Sequence, residues 1–166
     1  LIGNPKAPLR LTMAASLGCS PCKEGFEKAL QLIDGYPKKI NLTVRFRLDS
    51  QNNAAPDPGN HIVSYWLNNI MGNPNESERI RKLILDWYKT SDMNLFSEMY
   101  PINGDNNKNN EEIIRSLAKR HLDWFKEAEI KGTPFFFLNG YLLPKTYQIE
   151  NLMDFLPGID GLRSIN

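Results

Sequence analysis

Ile40, Leu42, Val44, Phe46 and Leu48 alternate with Asn41, Thr43, Arg45, Arg47 and Asp49, a period of two that predicts a strand with one face on a core. Leu9, Leu11 and Met13 alternate in the same way with Arg10, Thr12 and Ala14. Between the two runs, Cys22, Phe26, Ala29, Leu30 and Ile33 fall on one helical face. Pro21 occupies an early helical position where a missing N–H is harmless, and Gly35 before Tyr36-Pro37 supplies the stop. Strand, helix and strand in direct succession imply a crossover, and so two parallel neighbours in one sheet.

From Ser50 to about Ile130 asparagine-rich turns separate helical patterns. Asp57-Pro58 opens a helix through Ile62, Val63, Trp66 and Ile70, and Glu76 to Tyr88 carries Ile80, Leu83, Ile84 and Trp87. A weaker pattern surrounds Leu95, Phe96 and Met99. The turn-rich Pro101 to Asn110 segment is expected to separate these from a longer helix, with Ile113, Ile114, Leu117, Ala118, Leu122, Trp124 and Phe125 as its buried side. Strands return in Phe135-Phe136-Phe137-Leu138 and Tyr141-Leu142-Leu143, and the intervening Asn139-Gly140 tolerates the positive φ angles of a type I′ hairpin. Ile149, Leu152, Met153 and Phe155 or Leu156 predict a last short helix stopped by Pro157-Gly158. No repeat of fixed period is present.

With 166 residues and 41% apolar content, the chain can bury the core of one domain, residues 1–166, carrying a helical insertion at about 51–130. A formal charge of +1 gives no footprint for nucleic acid and no polybasic membrane patch. The longest nearly apolar stretch, Thr133 to Pro144, is broken by Asn139-Gly140 and falls short of the roughly 20 residues that span a bilayer. The chain begins at Leu1 without a methionine or a signal-like segment, which points to a processed protein or a piece of a longer one.

Cys19 and Cys22 are the only two cysteines, placed where the first strand gives way to the helix. That spacing brings the sulfurs into bridging reach and reads as a dithiol that opens and closes. A sulfur at a helix N-terminus faces unpaired N–H groups and the positive end of the dipole. The dipole is worth about 0.3 to 1 kcal/mol against about 1.36 kcal/mol per pKa unit, so it lowers a thiol pKa by roughly one unit at most. Lys23 adds to this if its ammonium points back, Ser20 can donate a hydrogen bond, and Pro21 restricts the turn. Cys19, before the helix, is expected to be the exposed nucleophile, and Cys22 the thiol that resolves a mixed disulfide. Two buried structural cysteines are the bland alternative. Zinc needs four ligands, and there is no second cysteine pair. His61, at a helix start, defaults to a polar cap or surface role; His121 beside an apolar helix face defaults to a structural one. No metal and no cofactor are therefore expected. Asn41-Leu42-Thr43 and Asn75-Glu76-Ser77 match glycosylation sequons that arise readily in an asparagine-rich chain.

A strand, Cys19-x-x-Cys22 at a helix start, a second strand, a helical insertion, then Gly132-Thr133-Pro134 leading a hairpin and closing helix together resemble thioredoxin-fold thiol–disulfide oxidoreductases of the DsbA-like subgroup. The resemblance covers nearly the whole chain, and Gly3-Asn4-Pro5-x-Ala7-Pro8 is similar to that subgroup's lead-in segment. The tail Leu143-Pro144-x-x-Tyr147-x-Ile149-Glu150-x-Leu152 resembles thioredoxin modules fused behind a vitamin K epoxide reductase-like membrane domain. The resemblance implies an α/β thioredoxin fold: a mixed four-stranded sheet flanked by helices, with the helical insertion between its βαβ and ββα halves and over the active-site face. It implies that Thr133 and Pro134 contact substrate, Pro134 being a cis proline packed against the dithiol and the Thr133 backbone pairing with an extended peptide. The implied activity is disulfide exchange with protein or peptide thiols, by a monomer outside the cytoplasm, periplasmic or membrane-tethered, with a membrane-embedded redox partner domain. Oxidase, reductase and isomerase stay open, because direction depends on reduction potential and partner. Two departures stand out: Leu9 to Ser16 contains no acid to take a proton from the resolving thiol, and Gly18 stands where an aromatic often precedes the first cysteine. A non-catalytic thioredoxin-like peptide-binding module and a metal-delivery protein are the competing classes.

Overall fold

β1 (Leu9–Ala15) is an inner strand of the sheet, with a parallel partner on one edge and an antiparallel partner on the other. It pairs in parallel with β2 (Ile40–Phe46), Leu11 against Leu42, and antiparallel with β3 (Phe135–Leu138), Thr12 against Phe137. β4 (Tyr141–Leu142) completes the order β2-β1-β3-β4, the mixed sheet of a thioredoxin fold. The structure, a computed structural model, describes residues 1–48, 57–102, 104–144 and 146–161, with backbone alone for 104–110 and 159–161. Residues 49–56, 103, 145 and 162–166, which the expected strand alternation, insertion and domain limits include, lie outside the described residues.

Leu11 and Met13 point to one side of β1 and are fully buried under α1 (Ser20–Gly35), whose Phe26, Ala29 and Leu32 are likewise without exposure. Full burial of each large side chain contributes about 1.5 to 3 kcal/mol. Gly25 sets the approach of helix to sheet: a Cβ there would meet Phe136 Cζ at 3.1 Å and Met13 Cε at 3.4 Å. The helix stops one residue beyond the glycine signal, at Tyr36, whose N–H still reaches the carbonyls of Leu32 and Ile33 while Pro37 blocks further turns. The Tyr36 hydroxyl donates to the Met153 carbonyl at 3.2 Å, tying the C-terminal segment to this face.

Four helices lie between β2 and β3: α2 (Pro58–Asn69), α3 (Glu76–Thr90), α4 (Met93–Met99) and α5 (Gly104–Glu127). Asp57 caps α2 by accepting from the Asn60 N–H at 2.8 Å, and Asp92 caps α4 through the N–H groups of Asn94 and Leu95. The short α4 is held by Phe96, whose ring lies 5.3 Å from Trp87 and 5.0 Å from Tyr100. α5 begins at Gly104, so 104–110 is helix where turns were expected. Once the helix is nucleated by its packed C-terminal half, each added turn is cheap, and asparagine is disfavoured by less than about 0.7 kcal/mol per residue. Ile114, Ala118 and Phe125 form the buried side of α5, with Leu117, Leu122 and Trp124 partly covered, whereas Ile113 faces solvent.

The main core joins α1, the sheet and the insertion residues Leu83, Ile84, Trp87 and Phe96, and a smaller one forms on the opposite sheet face from Ala14, Phe125, Ile130 and Phe137. Asn139 and Gly140 have φ of 50° and 89°, as the tight hairpin requires. The C-terminal segment runs as a 3-10 turn (Ile149–Asn151), α6 (Leu152–Phe155) and a second 3-10 stretch (Leu156–Gly161). Pro157-Gly158 therefore tightens the coil rather than ending it, and Leu156, 1% exposed, is the buried choice over Phe155 at 57%. Asn41 is buried in β2 and bonded to the Asn4 carbonyl, which leaves the first sequon inaccessible; in the second, Ser77 Oγ accepts from the Gly3 N–H. Among the described residues no helix is long and apolar enough to cross a membrane.

Candidate active site

β1 ends at Ala15, and Ser16, Leu17 and Gly18 turn the chain into α1. Cys19 is the N-cap, with φ −108° and ψ 113° and no side-chain cap bond. The first-turn N–H groups thus gain no side-chain cap acceptor from Cys19, and the positive end of the helix faces the sulfurs. Helix α3 fixes this turn from outside. Trp87 Nε1 donates to the Leu17 carbonyl at 2.9 Å, and the Tyr88 hydroxyl donates to the Ser16 carbonyl at 3.3 Å, where the Cys19 N–H also arrives at 3.4 Å.

Cys22, in the first turn, is fully buried, and its Sγ accepts from the Ser16 N–H at 3.5 Å. Burial pushes its pKa up to about 11 and the neighbouring Cys19 adds to this, while hydrogen bonds from Thr133 and Ser16 pull the other way. Cys19 is partly exposed, and its thiol donates to the Thr133 carbonyl at 3.6 Å. Both cysteines are free thiols here. The Thr133-Pro134 peptide bond is cis and stands directly before β3. Cys19, Cys22 and Thr133 therefore converge from two ends of the chain, and Thr133 and Pro134 stand on the wall of a groove of about 620 Å3. Lys131, Phe136, Leu143 and Tyr147 line the same groove.

Ser20 and Pro21 open α1 and are exposed. Lys23 is partly exposed and is not among the groups that act on Cys22. Among the described residues no carboxylate acts on Cys22 either. The buried Asp86 is engaged elsewhere, bound to Lys82 and to the Tyr100 hydroxyl. Gly18 has open space where a side chain would stand, consistent with thin cover over Cys19.

Trp87 and Tyr88 escape sequence reasoning, since adjacent aromatics on a helix announce burial but not a bond to a loop about 70 residues earlier. Burial, with both cysteines nearby, raises the Tyr88 pKa well above its ordinary value, so it stays a neutral donor. His61 is not a cap: its ring nitrogen meets the Tyr100 carbonyl at 2.8 Å, against the edge of Phe96, and burial lowers its pKa. His121 Nδ1 meets the Phe46 carbonyl at 3.1 Å. Among the described residues no three His, Cys, Asp or Glu side chains gather as a metal site.

A protein-family model described as Thioredoxin matches residues 1–157. No curated protein matches. Among solved structures the chain is similar to the thiol-disulfide exchange protein alpha-DsbA2 from Wolbachia pipientis, with a TM-score of 0.71 at 15% identity over 96% of this chain and 86% of that one. It is similar also to a thioredoxin-like oxidoreductase from Silicibacter pomeroyi DSS-3, with a TM-score of 0.70 at 12% identity over 98% and 92% of the two chains. DsbA2 of Pseudomonas aeruginosa gives 0.68 at 18% identity over 98% and 95%. At these identities the likeness is one of fold. With the sheet order, the dithiol at the head of α1 and the family match over residues 1–157, the chain belongs to the thioredoxin family and has the fold of its DsbA-like members.

Proposed function

We propose that this protein is a thiol–disulfide oxidoreductase that exchanges disulfides with protein or peptide substrates through Cys19 and Cys22. The observation that carries the reading is the convergence of a partly exposed Cys19 at a helix N-terminus, a buried Cys22 and the Thr133 carbonyl. In the reducing direction the Cys19 thiolate attacks a substrate sulfur, forming a mixed disulfide and releasing one substrate thiolate, which takes a proton from water. Cys22 then loses its proton and attacks Cys19 Sγ; the Cys19–Cys22 bond forms and the second substrate thiolate leaves. Oxidation is the same path reversed. Since burial holds Cys22 as a thiol and no carboxylate among the described residues acts on it, water entering beside the partly exposed Cys19 accepts its proton.

The Thr133 backbone would pair with an extended peptide whose side chains lie along Leu143, Pro144 and Tyr147 in the groove beside Pro134. Ser20 and Pro21 hold the turn between the sulfurs, and Lys23 contributes no more than a solvent-screened charge. The thiol-disulfide exchange protein of like fold supports the activity. Two cysteines confined to one redox pair suit an oxidising, extracytoplasmic compartment. The tail resemblance favours a membrane-embedded redox domain as partner to a monomeric module spanning residues 1–166, with its insertion at about 51–130. Titration with a glutathione redox buffer followed by thiol trapping tests the reading: a Cys19–Cys22 disulfide forms at a defined potential, and the reduced protein cleaves a protein disulfide. A protein that does neither is not an oxidoreductase.

A further inference from the structure

The alternation that buries Leu11, Met13 and Leu42 toward α1 sends Arg10, Thr12, Thr43 and Arg45 to the other face of the sheet, away from the dithiol. There they line a cavity of about 510 Å3, walled by Trp124 of α5 and by Phe137 of β3. Among the described residues no acidic one lines it. Thr12 and Thr43 are direct register partners across β1 and β2, so their side chains stand next to each other on the cavity floor. Arg45 is half-buried, its guanidinium carbon 4.8 Å above the centre of the Trp124 ring.

Three other arginines are matched. Arg81 makes a two-pronged bond to Asp34 at 2.6 and 2.7 Å, Arg47 donates to the Ile130 carbonyl, and Arg115 pairs with Glu111. Arg10 and Arg45 have no ion pair and no side-chain hydrogen bond among the described residues. Arg120 stands close enough to oppose the Arg45 charge. A guanidinium offers five donors and cannot shed its proton, so one drawn partly out of water, beside a second cation and facing no carboxylate, is an anion's complement without the anion.

We propose that this cavity binds a small organic oxyanion, a carboxylate or phosphate held between the guanidinium groups of Arg45 and Arg10 and accepting from the Thr12 and Thr43 hydroxyls. The fork of Arg45, fixed by stacking on Trp124, presents paired N–H groups of the kind that fit such a group. The volume leaves room for an organic body against Phe137 and Ala128. The site lies on the opposite face from Cys19, so occupancy does not block disulfide exchange.

Titration of the intact chain with inorganic phosphate and with citrate, at constant ionic strength set by chloride and followed by amide NMR and calorimetry, tests this. Saturable binding is expected, with shifts at Thr12, Thr43 and the Trp124 indole. Arg45→Gln weakens it about tenfold or more, as loss of a charge-assisted pair should. Arg45→Lys restores only part, because the charge returns without the fork. Arg10→Gln, at an exposed position that folding does not need, weakens it severalfold, while Arg79→Gln on α3 changes nothing. Retention of phosphate over citrate identifies a phosphate ligand, and the reverse a carboxylate. Shifts no greater than those from chloride, no saturation, or binding indifferent to Arg10→Gln and Arg45→Gln would overturn the proposal.

Discussion

The thiol of Cys19 donates to the carbonyl of Thr133 at 3.6 Å, although 114 residues separate them. The contact exists because β1 and β3 are neighbours in the sheet, so the turn leaving β1 and the turn entering β3 open at the same end. Thr133 acts on the second sulfur as well, since its hydrogen bond is one of the two that pull the Cys22 pKa down.

Thr133→Val keeps the shape and removes the hydroxyl. Cys22 is then expected to resist deprotonation further, and the mixed disulfide at Cys19 to live several times longer at neutral pH. Stopped-flow measurement of the resolution step checks this; an unchanged rate would show that the hydroxyl does not reach Cys22 in solution.

Stability of the reduced protein should fall with alkali. The Cys22 pKa is raised from 9.0 to about 11, so between those values the folded chain holds a proton that the unfolded chain has lost. Below about pH 9 the two states are equally protonated and the contribution is constant; as pH rises through 11 stability declines, by about 3 kcal/mol in all. Tyr88, also raised, works in the same direction. Urea melts of reduced and oxidised protein at pH 8 and 10.5 separate the two residues, because only the reduced form carries the Cys22 contribution.

Tyr88→Phe deletes the bond to the Ser16 carbonyl and should reduce stability by about 1 kcal/mol, the usual net worth of one hydrogen bond. Trp87→Phe removes a buried donor and leaves the Leu17 carbonyl unsatisfied, and a loss of about 2 to 3 kcal/mol follows. Both variants should also change the rate at which Cys19 reacts with a small disulfide, because the turn that places it is loosened. A loss of stability with no change in that rate would confine the two aromatics to a structural role.

Much of this architecture is written locally. Period-two runs at Leu9 and Ile40, the apolar face of α1, the Asn139-Gly140 turn and the sequence around each half of the site are all short-range signals, and they became the elements expected of them. Failures came where distant contacts override local preference. The asparagines of 104–110 join α5. Gly35 stays helical until Tyr36 ends the turn. Ile113 is turned outward while Ile114 takes the core position. His61 finds the end of α4 rather than a cap. The grip of Trp87 and Tyr88 on the turn before Cys19 depends on how α3 lies over that loop, and no periodicity encodes that placement.

The division of labour between the two sulfurs is tested most directly by covalent trapping. Cys22→Ser and Cys19→Ser proteins are each mixed with a disulfide-containing protein substrate, quenched with acid and mapped by mass spectrometry. Cys22→Ser should accumulate a mixed disulfide at Cys19, the partly exposed sulfur, and Cys19→Ser should accumulate almost none at the buried Cys22. Equal trapping on both, or trapping on Cys22 alone, would contradict the assignment of attacker and resolver.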